Sequence, residues 1–102
     1  MDNENRADRV RRVSSLFSQT AGAHRQYEIE QMGGERDEEW AKWYARYLTE
    51  NGLFDLLGTE AGERAENRLQ ESLVRLDQHH RAHDADAKWE DYYARYLIKH
   101  GL

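Results

Sequence analysis

Two pairs of a histidine and a carboxylate stand at helical spacing in this 102-residue chain. His24 is followed four residues later by Glu28, and His80 is followed four residues later by Asp84. On an α-helix, side chains four residues apart lie on one face, so each pair could share one ion. Two facing helices would bring both pairs together as a ligand set suited to Zn, Mn, Fe or Ni. His83 is a further candidate metal ligand beside the second pair.

The same histidines also have a purely structural interpretation. A histidine on an apolar helix face more often packs in the core, where its ring nitrogens bond a carboxylate or a tyrosine hydroxyl. The two halves also differ here, because Ala23 and Tyr27 stand where the second half has His79 and His83. The sequence leaves both interpretations open, and a transition metal is the only candidate cofactor that it indicates.

An internal repeat positions these residues. Residues 37–53 and 86–102 align at a constant offset of 49 and share the string Y-A-R-Y-L and a final G-L. Eight of the eleven aromatic residues fall inside these two copies, so chance does not explain the match. Upstream the match continues at an offset of 56, which pairs His24 with His80. The chain is therefore a candidate duplication.

Each copy specifies two helices. The apolar spacing predicts long first helices over residues 6–32 and 60–84. Asp37 and Asp86 are predicted N-caps of the second helices, which Gly52 and Gly101 would end. The second helices should bury an aromatic face at positions i, i+3, i+4, i+7 and i+8. Its members are Trp40, Trp43, Tyr44, Tyr47 and Leu48 in the first copy, and Trp89, Tyr92, Tyr93, Tyr96 and Leu97 in the second.

These elements predict one all-α domain. Two tandem helix hairpins, residues 6–53 and 59–102, would pack as a four-helix bundle with approximate internal two-fold symmetry, joined by an apolar connector over 53–58. A lone hairpin of this size cannot bury its aromatic face. An intertwined dimer would satisfy the same pattern.

Composition and charge narrow the function classes. The chain has no Cys, which excludes disulfides, thiolate metal sites and a cysteine nucleophile. A net charge of -5 argues against direct nucleic-acid binding and against an anionic membrane surface. We find no phosphate loop, nucleophile elbow or H-E-x-x-H motif, so no feature specifies an enzyme. The sequence therefore predicts a cytoplasmic protein whose partner is a protein or a second copy.

The strings H-R-Q-Y-E, G-G, D-E-E-W and W-Y-A-R-Y-L resemble a motif of short bacterial helical proteins that have no established activity. In that motif a His, a Tyr-Glu pair and a W-x-x-W-Y-A-x-Y-L helix recur in one unit. The second half departs from it at the Tyr and Glu positions and lacks the Gly-Gly pair. The resemblance implies a bacterial or phage origin. It groups His24, Tyr27 and Glu28 as a functional cluster and implies no reaction.

Three functions remain as hypotheses. The first is a non-enzymatic interaction or adaptor module, for which a homodimer is one form, that binds a partner through an aromatic-edged face. The second is a bundle that binds a metal or a small ligand and supports redox or hydrolytic chemistry. The third is an acidic, phage-type inhibitor of a nucleic-acid enzyme. The candidate partner-binding residues are Tyr27, Trp40, Trp43, Tyr44, Arg46, Tyr47, Trp89, Tyr92, Tyr93, Arg95 and Tyr96. We expect each of the two arginines to form an internal ion pair with a residue such as Glu28 or Asp84; the alternatives are stacking on neighbouring rings or pairing with a carboxylate ligand or substrate.

Overall fold

The structure, a computed structural model, describes residues 2–83 and 88–102 of the chain. Its five helices are α1 (Asp2–Gln31), α2 (Trp40–Glu50), α3 (Leu53–Leu57), α4 (Glu63–His83) and α5 (Trp89–His100). No strand occurs in the described ranges. The all-α prediction is confirmed. The apolar connector forms a short helix of its own, so there are five helices there rather than four.

The long helices α1 and α4 bury the stripes that their spacing predicts. On α1, Val13, Phe17 and Thr20 are fully buried, and on α4 Leu69 and Leu73 are fully buried. These residues recur every three or four positions, as one face of an α-helix requires. At its 1.5 Å rise per residue, the 30-residue α1 is about 45 Å long. It therefore accounts for the longest dimension of the molecule, 47 Å.

Two consecutive glycines end α1. Gly33 and Gly34 have φ angles of 63° and 87°, a left-handed region that residues with a Cβ rarely adopt. This turn lets the Gly34 amide donate to the Glu28 carbonyl oxygen at 2.9 Å, and the Met32 amide bonds the same oxygen at 3.1 Å. The chain thereby reverses direction towards α2, and the Glu28 carbonyl in the last turn of α1 accepts both amides.

Asp37 is not the N-cap of α2, and that prediction is wrong. Helix α2 begins at Trp40, its N-cap position is Glu39, and no side chain caps it. Asp37 lies three residues before the helix, where its Oδ1 accepts the Glu39 backbone N–H at 2.9 Å. Asp86, the predicted N-cap of the second aromatic helix, lies outside the described residues.

The buried faces of α2 and α5 differ from the predicted aromatic face. Leu48, Tyr93 and Leu97 are buried as predicted, but the other seven predicted rings are half-buried or exposed. The remaining buried positions are alanines: Ala41, Ala45 and Ala94. A methyl side chain lets two helices approach closely, so the alanines occupy the line of contact and the larger rings lie along its edges.

The helices pack across the two halves. Helix α1 makes its most extensive contacts with α5, and α2 makes its most extensive contacts with α4. Leu53 and Phe54 of α3 are buried against this core, and the Arg9 side chain donates to the Leu56 carbonyl oxygen at 3.0 Å. No helix in the described part of the chain is both long and apolar enough to cross a membrane.

Candidate functional site

Three polar residues tie the loop before α2 to the end of α1. His24 Nε2 lies 3.0 Å from Asp37 Oδ2, so the tautomer protonated at Nε2 donates to this carboxylate. Glu28, one helical turn further along α1, accepts the Asp37 backbone N–H at 2.8 Å through Oε2. Both α1 side chains therefore hold one loop residue, and we name His24, Glu28 and Asp37 the loop clasp.

The loop clasp is largely shielded from solvent. His24 and Glu28 are only 6% and 8% exposed. The bond from the Asp37 amide is the main cause that lowers the pKa of Glu28, and nearby His24 and Arg25 lower it further against a smaller effect of burial. Glu28 is thus held as a carboxylate, and its two oxygens are engaged by the Asp37 amide and, at 3.5 Å, by Arg25.

A stack of aromatic rings runs outward from the loop clasp across α1 and α2. Tyr27 lies 6.1 Å from His24 and 5.6 Å from Trp43 between ring centroids. Trp43 stacks on Tyr47 at 5.2 Å with an interplanar angle of 12°. All three large rings are half-buried, and the Tyr47 hydroxyl accepts a hydrogen bond from Gln19 at 2.8 Å. The stack therefore presents ring edges and a hydroxyl to solvent.

A second feature is a cleft of about 300 Å³ between the two halves. Trp40 and Tyr44 form an edge-to-face pair at 5.4 Å on one side, and Trp89 and Tyr93 form a similar pair at 5.3 Å on the other. Tyr44 and Trp89 lie 6.4 Å apart across the cleft. These pairs occupy matched positions of the two copies. The polar residues that line the same cleft are His24, Glu28, Arg36, Asp37, Asp77 and Arg81.

Both tyrosines of the cleft are poor acids. Burial raises the pKa of Tyr44 to about 12, and the charges of Glu28 and Glu90 act in the same direction. Burial also raises the pKa of Tyr93, with a further contribution from Asp77, whose Oδ1 accepts from the Tyr93 hydroxyl at 3.5 Å. Near neutral pH both groups are therefore neutral hydroxyls that can donate a hydrogen bond.

Histidines stand in the second half of the chain at or near positions that the sequence alignment matches to the aromatic stack. At the positions of Tyr27 and Trp43 the second half has His83 and Tyr92, and it adds His79 where the first half has an alanine. The His79 and His83 ring centroids are 4.4 Å apart. These two histidines line a recess of about 490 Å³ together with Arg75, Tyr96 and His100.

The predicted metal ligands do not all come together in the described residues. His24 and Glu28 are adjacent in the loop clasp, whereas the His80 ring lies against Tyr92 and Tyr93, at 5.1 and 6.3 Å. Asp84 lies outside the described residues. Within residues 2–83 and 88–102, no group of three or more His, Asp or Glu side chains could hold a metal ion. The four-residue site stays a prediction.

The two matched arginines lie on the surface. Arg46 pairs with Glu50 one turn along α2 at 3.3 Å, and not with Glu28 as expected. Arg95 is also exposed, and it borders a surface depression beside Tyr92 and Tyr96. Glu28 binds Arg25 instead, because the two are neighbours on α1.

The sequence pattern predicts no side-chain contact for several residues of the site. Asp37 fits the pattern of a helix cap, and no pattern singles out Arg36 or Asp77. The one signal that could have found the Asp37 contacts is the Gly33-Gly34 turn, which returns the chain to Glu28.

No family model, curated protein or solved structure matches this chain. The features of this chain that bear on function are therefore the cleft between the halves, the recess beside His79 and His83, the loop clasp and the aromatic stack.

Proposed function

We propose that this protein is a non-enzymatic interaction module that forms a homodimer through one aromatic face. The face consists of Tyr27, Trp43, Arg46 and Tyr47 on α1 and α2. The observation that carries the proposal is the half-buried stack of Tyr27, Trp43 and Tyr47, whose ring edges reach solvent.

The composition of the aromatic face is that of an interaction hot spot. Trp, Tyr and Arg are the residue types most enriched among side chains that dominate binding energy. Stacking fixes the rings before any partner arrives, so little side-chain freedom is lost on association. The loop clasp supports this order from beneath, because His24 contacts the Trp43 ring at 4.9 Å while bonded to Asp37.

The charges beside the stack favour a second copy as the partner. Arg46 and Glu50 lie side by side on α2 and are both well exposed, at 76% and 63% of their side-chain surface. Around a two-fold axis, a contact of one residue with a different residue of the other copy occurs twice. Arg46 of one copy can then pair with Glu50 of the other, whereas a face of a single sign would repel itself.

The matched tyrosine of the second copy supplies the control for a direct test. Sedimentation velocity over a concentration series should give a mass approaching twice the 12.1 kDa of one chain. Tyr47→Ser should weaken the dimer by about tenfold or more, since it truncates a hot-spot ring on both sides of the axis. Tyr96→Ser, at the matched position, should leave the dimer unchanged. A wild-type chain that stays monomeric, or equal losses in both variants, would contradict the proposal.

We also propose that the two halves are diverged copies related by an approximate internal two-fold axis. Exchanging the halves converts the α1–α5 contact into the α4–α2 contact, and these are the two most extensive contacts of the fold. The same exchange converts the Trp40–Tyr44 pair into the Trp89–Tyr93 pair. Matched core substitutions in the two halves should then have similar effects on stability.

A second candidate function is binding of a planar ligand in the cleft between the halves. The favouring observation is that Trp40 and Trp89 line it from opposite halves and that the Tyr44 ring lies near both, at 5.4 and 6.4 Å between centroids. Among the described residues, the Tyr44 hydroxyl and the Arg36 guanidinium have no hydrogen-bond partner, so both could bind a ligand. The anionic dye anilinonaphthalene sulfonate, whose naphthalene ring is planar, should bind with saturable quenching of tryptophan fluorescence. Arg36→Ala should lose that binding, and Arg46→Ala should keep it. If both variants bind the dye equally well, the cleft is not the binding site.

A further inference from the structure

The surface of α4 carries a pair of histidines that the dimer proposal does not use. His79 and His83 are four residues apart on α4, both are exposed, and their ring centroids lie 4.4 Å apart. We infer that these two side chains chelate one divalent transition-metal ion, of the Zn²⁺, Ni²⁺ or Cu²⁺ class.

The spacing of the rings fits a shared ion. With metal–nitrogen distances near 2.0–2.1 Å, two imidazoles bound at neighbouring positions of one ion have centroids roughly 4.5–5 Å apart. The observed centroid distance of 4.4 Å is close to this range, so rotation of the two exposed side chains can aim one nitrogen of each ring at a shared ion. The i, i+4 spacing on a helix is the arrangement by which two histidines bind zinc in helical metal sites.

A hydrogen bond prepares His79 to act as a ligand. Its Nδ1 lies 2.6 Å from the Tyr92 hydroxyl, which orients the ring from α5. When Nδ1–H donates to this hydroxyl, Nε2 carries the lone pair that a metal needs. Metal-binding histidines commonly have such a partner on the second ring nitrogen, which fixes the tautomer.

The surroundings leave coordination positions open. The two histidines border the recess of about 490 Å³, which also contains His100 and Tyr96 from α5. Two protein ligands leave room for water or an external ligand on the ion. The first copy cannot form this site, because Ala23 and Tyr27 occupy the matched positions. The proposed metal site is therefore specific to the second half of the chain.

Calorimetric titration of the untagged full chain with Zn²⁺ and Ni²⁺ in a non-chelating buffer tests the inference. We expect one saturable site in the wild type and no binding of Mg²⁺, which prefers oxygen ligands. His79→Ala and His83→Ala should each weaken binding at least about tenfold. Tyr92→Phe removes only the hydrogen-bond partner of His79 and should weaken metal binding about 10–100-fold. Loss of a metal ligand should therefore weaken binding by at least the lower end of that range. His79 and His83 are exposed and Tyr92 is half-buried, and circular dichroism verifies that each variant is folded.

His100→Ala is the matched control, since His100 borders the same recess and is not part of the chelate. It should bind metal as tightly as the wild type. The inference is overturned if the wild type binds no transition metal, or if the His79→Ala/His83→Ala double variant retains wild-type affinity. It is equally overturned if His100→Ala loses as much affinity as His79→Ala.

Discussion

Asp37 meets α1 twice: its carboxylate lies 3.0 Å from His24 Nε2, and its backbone amide donates to Glu28 at 2.8 Å. These contacts join the loop between α1 and α2 to the helix it has just left. They also place His24 under the Trp43 ring of the aromatic face. Order in the loop and order in the aromatic face are therefore coupled.

Replacing Asp37 should loosen this loop. Asp37→Ala removes the acceptor of His24 and leaves a buried ring nitrogen unpaired, which costs about 1–3 kcal/mol of the free energy of unfolding. Urea denaturation measures this loss, and hydrogen exchange should show faster exchange of the Gly34 amide. Asp55→Ala, an exposed carboxylate on α3, serves as the control. Equal stability of the two variants would show that the loop clasp contributes nothing.

Glu28 should make the fold sensitive to acid. Its pKa is lower in the folded chain than the ordinary value of 4.5, chiefly because the Asp37 amide bonds the carboxylate. The stabilisation is therefore present above pH 4.5 and is lost as the pH falls through the lowered pKa. As the pH falls below 5, Glu28→Gln should lose less of its free energy of unfolding than the wild type loses. Urea denaturation at a series of pH values measures this difference. The role of Glu28 would be contradicted if Glu28→Gln kept the acid dependence of the wild type while the exposed control Glu30→Gln changed it.

Tyr44 should destabilise the fold in strong alkali. Burial raises its pKa to about 12, above the ordinary value of 10.0, so the folded chain resists loss of this proton. Stability should be unaffected below pH 10 and should decrease above it, because the unfolded chain releases the proton first. Tyr44→Phe should reduce this loss of stability at alkaline pH, which thermal denaturation measures. Tyr47→Phe, in the half-buried aromatic stack, is the comparison. If Tyr44→Phe loses as much stability above pH 10 as the wild type does, burial of the Tyr44 hydroxyl does not cause the loss.

Matched leucines test the internal duplication. Leu48 and Leu97 occupy equivalent positions of α2 and α5, and both are essentially inaccessible, at 0% and 1% exposure. Leu48→Ala and Leu97→Ala should each cost about 2–5 kcal/mol of the free energy of unfolding. Val74→Ala, at an exposed position, should change it by no more than about 0.5 kcal/mol. A large loss in one half and almost none in the other would contradict equivalent packing.

The buried stripes of the long helices and the glycine turn after α1 were the features that the sequence predicted best. The stripe from Val13 to His24 obeys the helical period, so it located both the helix and its buried face. Gly33 and Gly34 likewise marked the end of α1, because only glycine adopts such φ angles without strain.

Contacts between helices could not be predicted in the same way. Periodicity groups Trp43 with Leu48, but it does not say how closely two helices approach. That distance put Ala45 on the contact line and left Trp43 half-buried. The convergence of His24 with His80 depended on the same unknown geometry. In the fold His80 lies against the rings of α5, while His24 is held by Asp37.

The most direct test of the homodimer uses the absence of cysteine from the chain. Glu39→Cys and Lys88→Cys each introduce a single attachment point for a spin label, at matched exposed positions of the two halves. Glu39 lies one helical turn before Trp43 and is not part of the aromatic face, so the label leaves that face intact. Electron paramagnetic resonance then measures distances between labels on different chains. The account predicts a short, well-defined intermolecular distance for the label at position 39 and none for the label at position 88. No intermolecular coupling at position 39, or equal coupling at both positions, would contradict a dimer formed through the aromatic face.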